Sequence, residues 1–217
     1  MIDAAAIRDR ADGVRGRIAA AGGDPDAITL IAVTKGFPPA LAVAAAEAGL
    51  TDLGENYAQE LLPKVDAVAA AGTTPRWHFL GRLQRNKVRA LAPHVALWQS
   101  IDRPALGVEV ARRSPGASVL VQVNLSGEPQ KGGCLREEAA PLAEALAVQG
   151  LVVVGLMGVA PEGTPQEARA GFRWLRAETD RLGLSICSMG MSADLEVAVQ
   201  EGTTMVRIGN GLFGPRP

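Results

Sequence analysis

Lys35 is the residue of this chain best placed to do chemistry. It follows the apolar run Ile31-Ala32-Val33 and Thr34, and it precedes Gly36, which leaves room beside it. A lysine at such a strand end can lose its charge by desolvation and then act as a nucleophile toward an aldehyde. A solvated strand-end lysine fits the same position. Other polar groups also fall at the ends of apolar runs: Glu55, Asn56 and Tyr57; His78 and Gly81; Asp102; Asn124, Ser126 and Lys131; Met157 and Gly158; Ser188, Met189, Gly190 and Ser192; Arg207, Gly209, Asn210 and Gly211. The two Gly/Ser-rich turns lead into helical sequence, where backbone N–H groups can face an anion such as phosphate. No His/Cys/Asp cluster has metal-ligand spacing. No GxSxG elbow supports a Ser-His-Asp site.

These residues need a scaffold that brings strand ends together. Short β-branched runs alternate with Ala/Leu/Glu/Arg-rich helical runs along the chain. A helix is predicted over 2–21, stopped by Gly22-Gly23. Strands are predicted at 28–33, 51–56, 77–81, 95–101, 118–125, 151–158, 184–190 and 203–209. Helices are expected from Pro38-Pro39 through Ala48 and near 58–71, 82–91, 103–112, 135–148, 165–182 and 193–201. Eight strand–helix alternations favour a parallel sheet closed into a barrel, with active residues at the C-terminal strand ends. The expected fold is α/β: a single (β/α)8 TIM-type barrel with an extra N-terminal helix, spanning 1–217 as one domain. The open doubly wound sheet is the rival, but no GxGxxG opens the first βα turn.

Composition narrows the function classes. The formal net charge is −1, which gives no whole-chain support for a nucleic-acid or membrane-surface role. The cluster Arg82, Arg85, Lys87 and Arg89 reads as a solvated helix face, since no aromatics interleave it. No apolar run is long enough to span a bilayer, and no signal-peptide pattern opens the chain. Cys134 and Cys187 form no CxxC pair and read as structural thiols in a reducing cytosol. Trp77, Trp98 and Trp174 are expected to pack in or under the barrel. His94 is a plain loop residue, and His78 suits a hydrogen-bonded core position as well as a site. Asp194 and Glu196 are placed to complement a helix N-terminus.

Several segments together carry a family resemblance: IAVTKGFP (31–38), LGENYAQE (53–60), WHFLGRLQRNK (77–87), GLMGVAP (155–161) and SMGMSADLEVAVQEGTTMVRIGNGLFG (188–214). Together they closely resemble the pyridoxal 5′-phosphate (PLP) homeostasis protein family, also called proline synthetase co-transcribed homologs. The resemblance runs from about residue 28 to Gly214 and implies a barrel similar to the N-terminal domain of alanine racemase. It implies PLP as the cofactor, held as a Schiff base on Lys35. It further implies phosphate contacts from Ser192, Gly209 and the Asn210 backbone, with Met189 and Gly190 beside them. Arg207 would face the pyridine nitrogen, and Asn56 and His78 would line the ring pocket. One departure stands out: the family usually has Ser or Thr after the Gly of its RIG motif, and here Asn210 takes that place. Lys131, before Gly132, could add a weaker PLP contact or be a plain loop lysine.

The same resemblance implies a carrier and not an enzyme. PLP enzymes use the ring as an electron sink, which is strongest with a protonated ring nitrogen. Arginine keeps its own proton, so Arg207 would leave the ring neutral. Barrel-type racemases add a second base from a C-terminal β-domain, and no such domain is expected in this chain. The implied role is a cytoplasmic monomer that takes part in vitamin B6 and amino-acid homeostasis and passes PLP to PLP-dependent apo-enzymes. A low-activity PLP-dependent amino-acid racemase is the alternative.

Overall fold

The apolar runs become eight parallel strands whose first and last members pair, so the sheet closes. This arrangement is seen in a computed structural model that describes residues 3–128, 132–161 and 163–216. The strands are β1 (Thr29–Val33), β2 (Asp52–Glu55), β3 (Arg76–Phe79), β4 (Val95–Ile101), β5 (Ser118–Asn124), β6 (Val152–Val159), β7 (Ile186–Ser188) and β8 (Met205–Ile208). Among the described residues the helices are α1 (Ala4–Ala20), α2 (Pro39–Glu47), α3 (Ala58–Ala70), α4 (Arg85–Leu91), α5 (Pro104–Arg113), α6 (Ala139–Val148), α7 (Pro165–Arg181), α8 (Leu195–Gln200) and α9 (Asn210–Phe213). The expected barrel with an added N-terminal helix is therefore present.

Two cores follow from strand alternation. Side chains on a strand point alternately inward and outward. Ile31, Val33, Leu97, Leu120, Met157 and Met205 fill the barrel interior. Ala32, Leu53, Trp77, Phe79, Trp98, Val206 and Ile208 face outward and pack under the helices. The inward positions between those outward ones hold His78, Gln99, Ser188 and Arg207, so the interior is partly polar. Helix α1 starts at Asp3, whose carboxylate accepts a hydrogen bond from Ala6 N at 2.8 Å. It buries Ile7, Ala11, Val14 and Ile18 along one face and packs against α2, α8 and α9.

Element ends depart from the sequence expectation where the chain turns into the site. Strand β3 stops at Phe79, and Leu80 N still donates to Glu55 O at 2.8 Å. Gly81 lies against the Asn56 backbone so closely that a Cβ would sit 2.0 Å from Asn56 O. Helix α4 begins at Arg85, not residue 82, so Arg82 lies in the preceding loop. Arg85, Lys87 and Arg89 are exposed, as the solvated-face reading expects. The short helix α9 falls in a segment where the sequence pattern suggests none. No helix among the described residues is long and apolar enough to cross a membrane.

Candidate functional site

The strand ends surround a cavity of about 470 Å³ at the C-terminal mouth of the barrel. That is within the usual size for a small-molecule site. Four cations line it: Lys35, Arg82, Arg207 and Arg216. Among its described lining residues there is no carboxylate, imidazole or phenol. Val33, Leu80, Met157 and Val159 supply apolar surface. A cavity with this charge and no acid suits an anionic, partly apolar ligand.

Lys35 stands at the end of β1 within a tight turn. Phe37 N donates to Thr34 O at 3.1 Å, which makes Lys35 and Gly36 the central pair. Gly36 has φ of 76°, the value required at the third position of a type II turn. The Lys35 amine has no carboxylate within ion-pairing distance among the described residues, and two arginines face it. Burial, then the positive charges of Arg216 and Arg207, pull its pKa below the ordinary lysine value, with Glu55 and Glu60 opposing. The neutral, nucleophilic form is therefore more populated at a given pH than for a free lysine. Removing Arg216 takes away one of the lowering charges. In Arg216→Ala the pH profile for labelling Lys35 with an amine reagent, followed by peptide mass, is expected to move to higher pH. An unmoved profile would show that Arg216 does not act on this amine.

Arg207 is buried, and burial pulls its pKa down to about 10, so it stays charged at neutral pH. One guanidinium nitrogen donates to Ser188 Oγ at 2.7 Å and another to Gly158 O at 2.8 Å. Its own N donates to Gly190 O at 3.0 Å. Ser188 Oγ donates in turn to Gln99 Oε1 at 2.8 Å, and Gln99 Nε2 lies 2.9 Å from His78 Nδ1. With Gln99 donating, His78 presents its Nε2 proton to Asp52 Oδ1 at 2.9 Å. Burial alone would raise the Asp52 pKa. The bonds from His78 and Thr51 and the nearby Arg76 charge hold it below its ordinary value. This chain of side chains fixes the orientation of Arg207 from below.

The structure brings most of the expected site residues to the cavity. Lys35, Asn56, Ser192, Arg207, Gly209 and Asn210 line it. Met189 and Gly190 are buried one step behind Met191 and Ser192 and do not line it. Ser192 Oγ accepts from Gly211 N at 3.1 Å, which ties the turn after β7 to the turn after β8. The hydroxyl proton of Ser192 is left to donate elsewhere. The expectation for His78 is corrected: it is fully buried in the barrel interior, and its ring reaches the cavity only through Gln99 and Ser188. The hydrogen-bonded core reading of His78 is the one observed. Lys131 lies outside the described residues.

Arg216, which the sequence pattern does not single out, packs over Gly36 and lines the cavity. Arg82, expected on a solvated helix face, lines the cavity as well. Lys64 is buried within α3. Its spacing from Leu61 and Val68 puts a lysine on an apolar helix face, which is a legible signal. Cys134 and Cys187 are free and buried. Burial pushes their thiols up to about 12 and about 11, so neither is an activated nucleophile. Asp194 occupies the N-cap position of α8 without a side-chain capping bond, and its carboxylate accepts from Met191 N at 2.6 Å, while Glu196 pairs with Arg17 at 2.7 Å.

Comparison with known proteins gives consistent matches. The family described as alanine racemase, N-terminal domain, matches residues 2–217. A pyridoxal phosphate homeostasis protein of Pseudomonas aeruginosa is 42% identical over 212 residues, covering 94% of this chain and 91% of that protein. That name describes a homeostasis role and not an enzyme. The crystal structure of an unknown protein from Bifidobacterium adolescentis superposes with a TM-score of 0.87 at 32% identity, covering 98% of each chain. The structure of PipY from Synechococcus elongatus with PLP bound superposes with a TM-score of 0.78 at 33% identity, covering 93% of this chain and 100% of that one.

Proposed function

Because this chain belongs to the alanine racemase N-terminal domain family, among its pyridoxal phosphate homeostasis proteins, we propose that it binds PLP as a Schiff base on Lys35 and serves as a carrier in intracellular B6 and amino-acid homeostasis. The observation that carries this reading is the Lys35 amine itself. Among the described residues it has no carboxylate partner, in a cavity lined by cations, with its pKa lowered by burial, Arg216 and Arg207. With PLP bound, its aldehyde would supply the electrophile and the neutral Lys35 amine would supply the nucleophile.

The rest of the cavity has a role toward each part of the ligand. The Ser192 hydroxyl and the backbone at Gly209 and Asn210 would hold the phosphate. Donation from the backbone N–H needs no hydroxyl at position 210, so Asn210 is compatible with that role. Arg207 would face the ring nitrogen. Two of its five N–H groups donate to Ser188 and Gly158, and because it remains charged it cannot accept a proton from the ring. When bound, PLP supplies an electron sink, and this neighbour keeps the sink weak. No second acid or base is present among the described lining residues to move a proton on an amino acid. Both features favour holding and releasing the aldehyde over turnover, with apo-enzymes that need PLP as recipients. The protein acts in the cytoplasm as a monomer in this reading.

The experiment uses the chain's small number of lysines: Lys35, Lys64, Lys87 and Lys131. PLP is added to the purified protein, the visible spectrum is recorded, and borohydride reduction is followed by peptide mass analysis. The expected result is one reduced phosphopyridoxyl group on Lys35. An adduct confined to Lys87 or Lys131, or none at all, would refute the proposal.

A further inference from the structure

Helix α3 buries a lysine that does not reach the cavity. Lys64 is 1% exposed and does not line the site. An ammonium ion so enclosed requires partners for its charge and for each of its three N–H donors. All three are met. Lys64 Nζ donates to Thr34 O at 2.7 Å, to Glu60 Oε2 at 3.3 Å and to Glu55 Oε1 at close range. Apolar packing alone would be served as well by methionine. What the lysine adds is a set of directed bonds, and those bonds converge on the turn that carries Lys35.

Thr34 precedes Lys35 and is held at every polar atom. Its N donates to Gly54 O at 3.0 Å, and its Oγ1 donates to Glu55 Oε1 at 2.7 Å. Its O accepts from Lys64 and from Phe37 N, the bond that closes the turn. Gly36 follows Lys35, and its N donates to Glu60 Oε2 at 2.6 Å. The oxygen of Glu60 that holds Gly36 also accepts from Lys64. Both neighbours of Lys35 are therefore tied to one ammonium ion, Thr34 directly and Gly36 through Glu60. Lys35 itself makes none of these bonds, so its side chain stays free to react while its Cα is fixed.

We infer that Lys64, acting with Glu55 and Glu60, is a positioning residue for Lys35: it locks the β1 turn so that the Lys35 amine is presented to the aldehyde carbon of a ligand held in the cavity. The inference rests on the Schiff-base reading above and adds to it the group that orients the reacting amine. Reacting atoms must lie within a narrow range of approach, and a displacement of about 1 Å can slow a reaction by about a hundredfold. Ligand binding through phosphate and ring contacts does not depend on that alignment.

The test separates the two. Glu60 is partly exposed, and Glu60→Ala frees Gly36 N while leaving the bonds of Lys64 to Glu55 and Thr34 in place. A second variant, Lys64→Met with Glu55→Gln, removes the buried charge and its main partner together, so that no uncompensated ion is left. Three quantities are read for each: the rate of Schiff-base formation with PLP, the dissociation constant of pyridoxine 5′-phosphate, which has no aldehyde, and the melting temperature. In both variants the rate is expected to fall about tenfold or more while analogue affinity stays within about twofold. A rate equal to wild type in both, or a fall in rate matched by an equal fall in analogue affinity, would overturn the inference. If the wild-type protein forms no adduct on Lys35, the Schiff-base reading fails first and the positioning role falls with it. An adduct in wild type with unaffected variants removes the positioning role alone.

Discussion

In Lys35→Ala the visible band and the borohydride-fixed adduct are expected to disappear while the fold is retained. Neither Lys64 nor Lys87 can substitute. Lys64 is enclosed and committed to three acceptors. Lys87 is exposed and lies outside the cavity. The proposed phosphate contacts at Ser192, Gly209 and Asn210 would remain, so PLP should still bind, without a covalent bond. Its affinity is expected to fall about a hundredfold or more, where each factor of ten is about 1.4 kcal/mol. The melting temperature gives an independent check. Among the described residues Lys35 has no ion pair, and burial, Arg216 and Arg207 all disfavour its charged form. Folding brings that positive charge into unfavourable surroundings, so its removal should leave the melting temperature unchanged or slightly raised. A variant that keeps the band would exclude Lys35 as the carrier. A variant that melts well below wild type would mean that Lys35 supports the fold in a way its contacts do not explain.

The second large effect concerns stability. Trp98 on β4 is fully buried and packs at 6.2 Å from the Phe79 ring in a tilted arrangement. Trp98→Ala would empty a large volume under the helices and is expected to cost about 3–5 kcal/mol. For a chain of this length that corresponds to a fall of roughly 6–20 °C in melting temperature. The indole Nε1 has no hydrogen-bond partner among the described residues. Trp98→Phe therefore removes an unsatisfied buried donor along with part of the ring. Its cost should be far smaller, below about 1.5 kcal/mol, because the lost volume is offset by the lost desolvation penalty. Thermal melts of the two variants side by side check the argument. Equal losses in both would show that the Nε1 proton has a partner, such as an enclosed water.

Much of the architecture is determined by local sequence. Strand β5 reads as a strand because Val119, Val121 and Val123 alternate with Leu120 and Gln122, and both faces of an enclosed parallel sheet are covered. The first helix is set by the Ile7, Ala11, Val14 and Ile18 spacing and by the Asp3 cap. The position of Lys35 after Val33 and before Gly36 already places an amine at a strand end with a turn behind it. These features are local, governed by periods of two and 3.6 residues, and short-range physics is enough to read them.

What only the tertiary structure decides is depth and encounter. His78 can be assigned to the inward face from its alternation with Trp77 and Phe79. Its height in the barrel depends on strand register, which shifts between Trp77 and His78 where β3 meets β4. That register places it beside Asp52 and Gln99, away from the cavity. Arg207 meets Gly158 O across 49 residues of chain, and Ser192 meets Gly211 because two separate turns converge. Arg216 reaches Lys35 only because the chain after α9 folds back over Gly36. Sequence periodicity specifies which side of an element a residue occupies, but the closure of the barrel specifies which sides face one another. The Glu60–Lys64 pair is an i,i+4 spacing within α3, but the meeting of Lys64 with Thr34 after β1 and Glu55 on β2 is contained in no spacing along the chain.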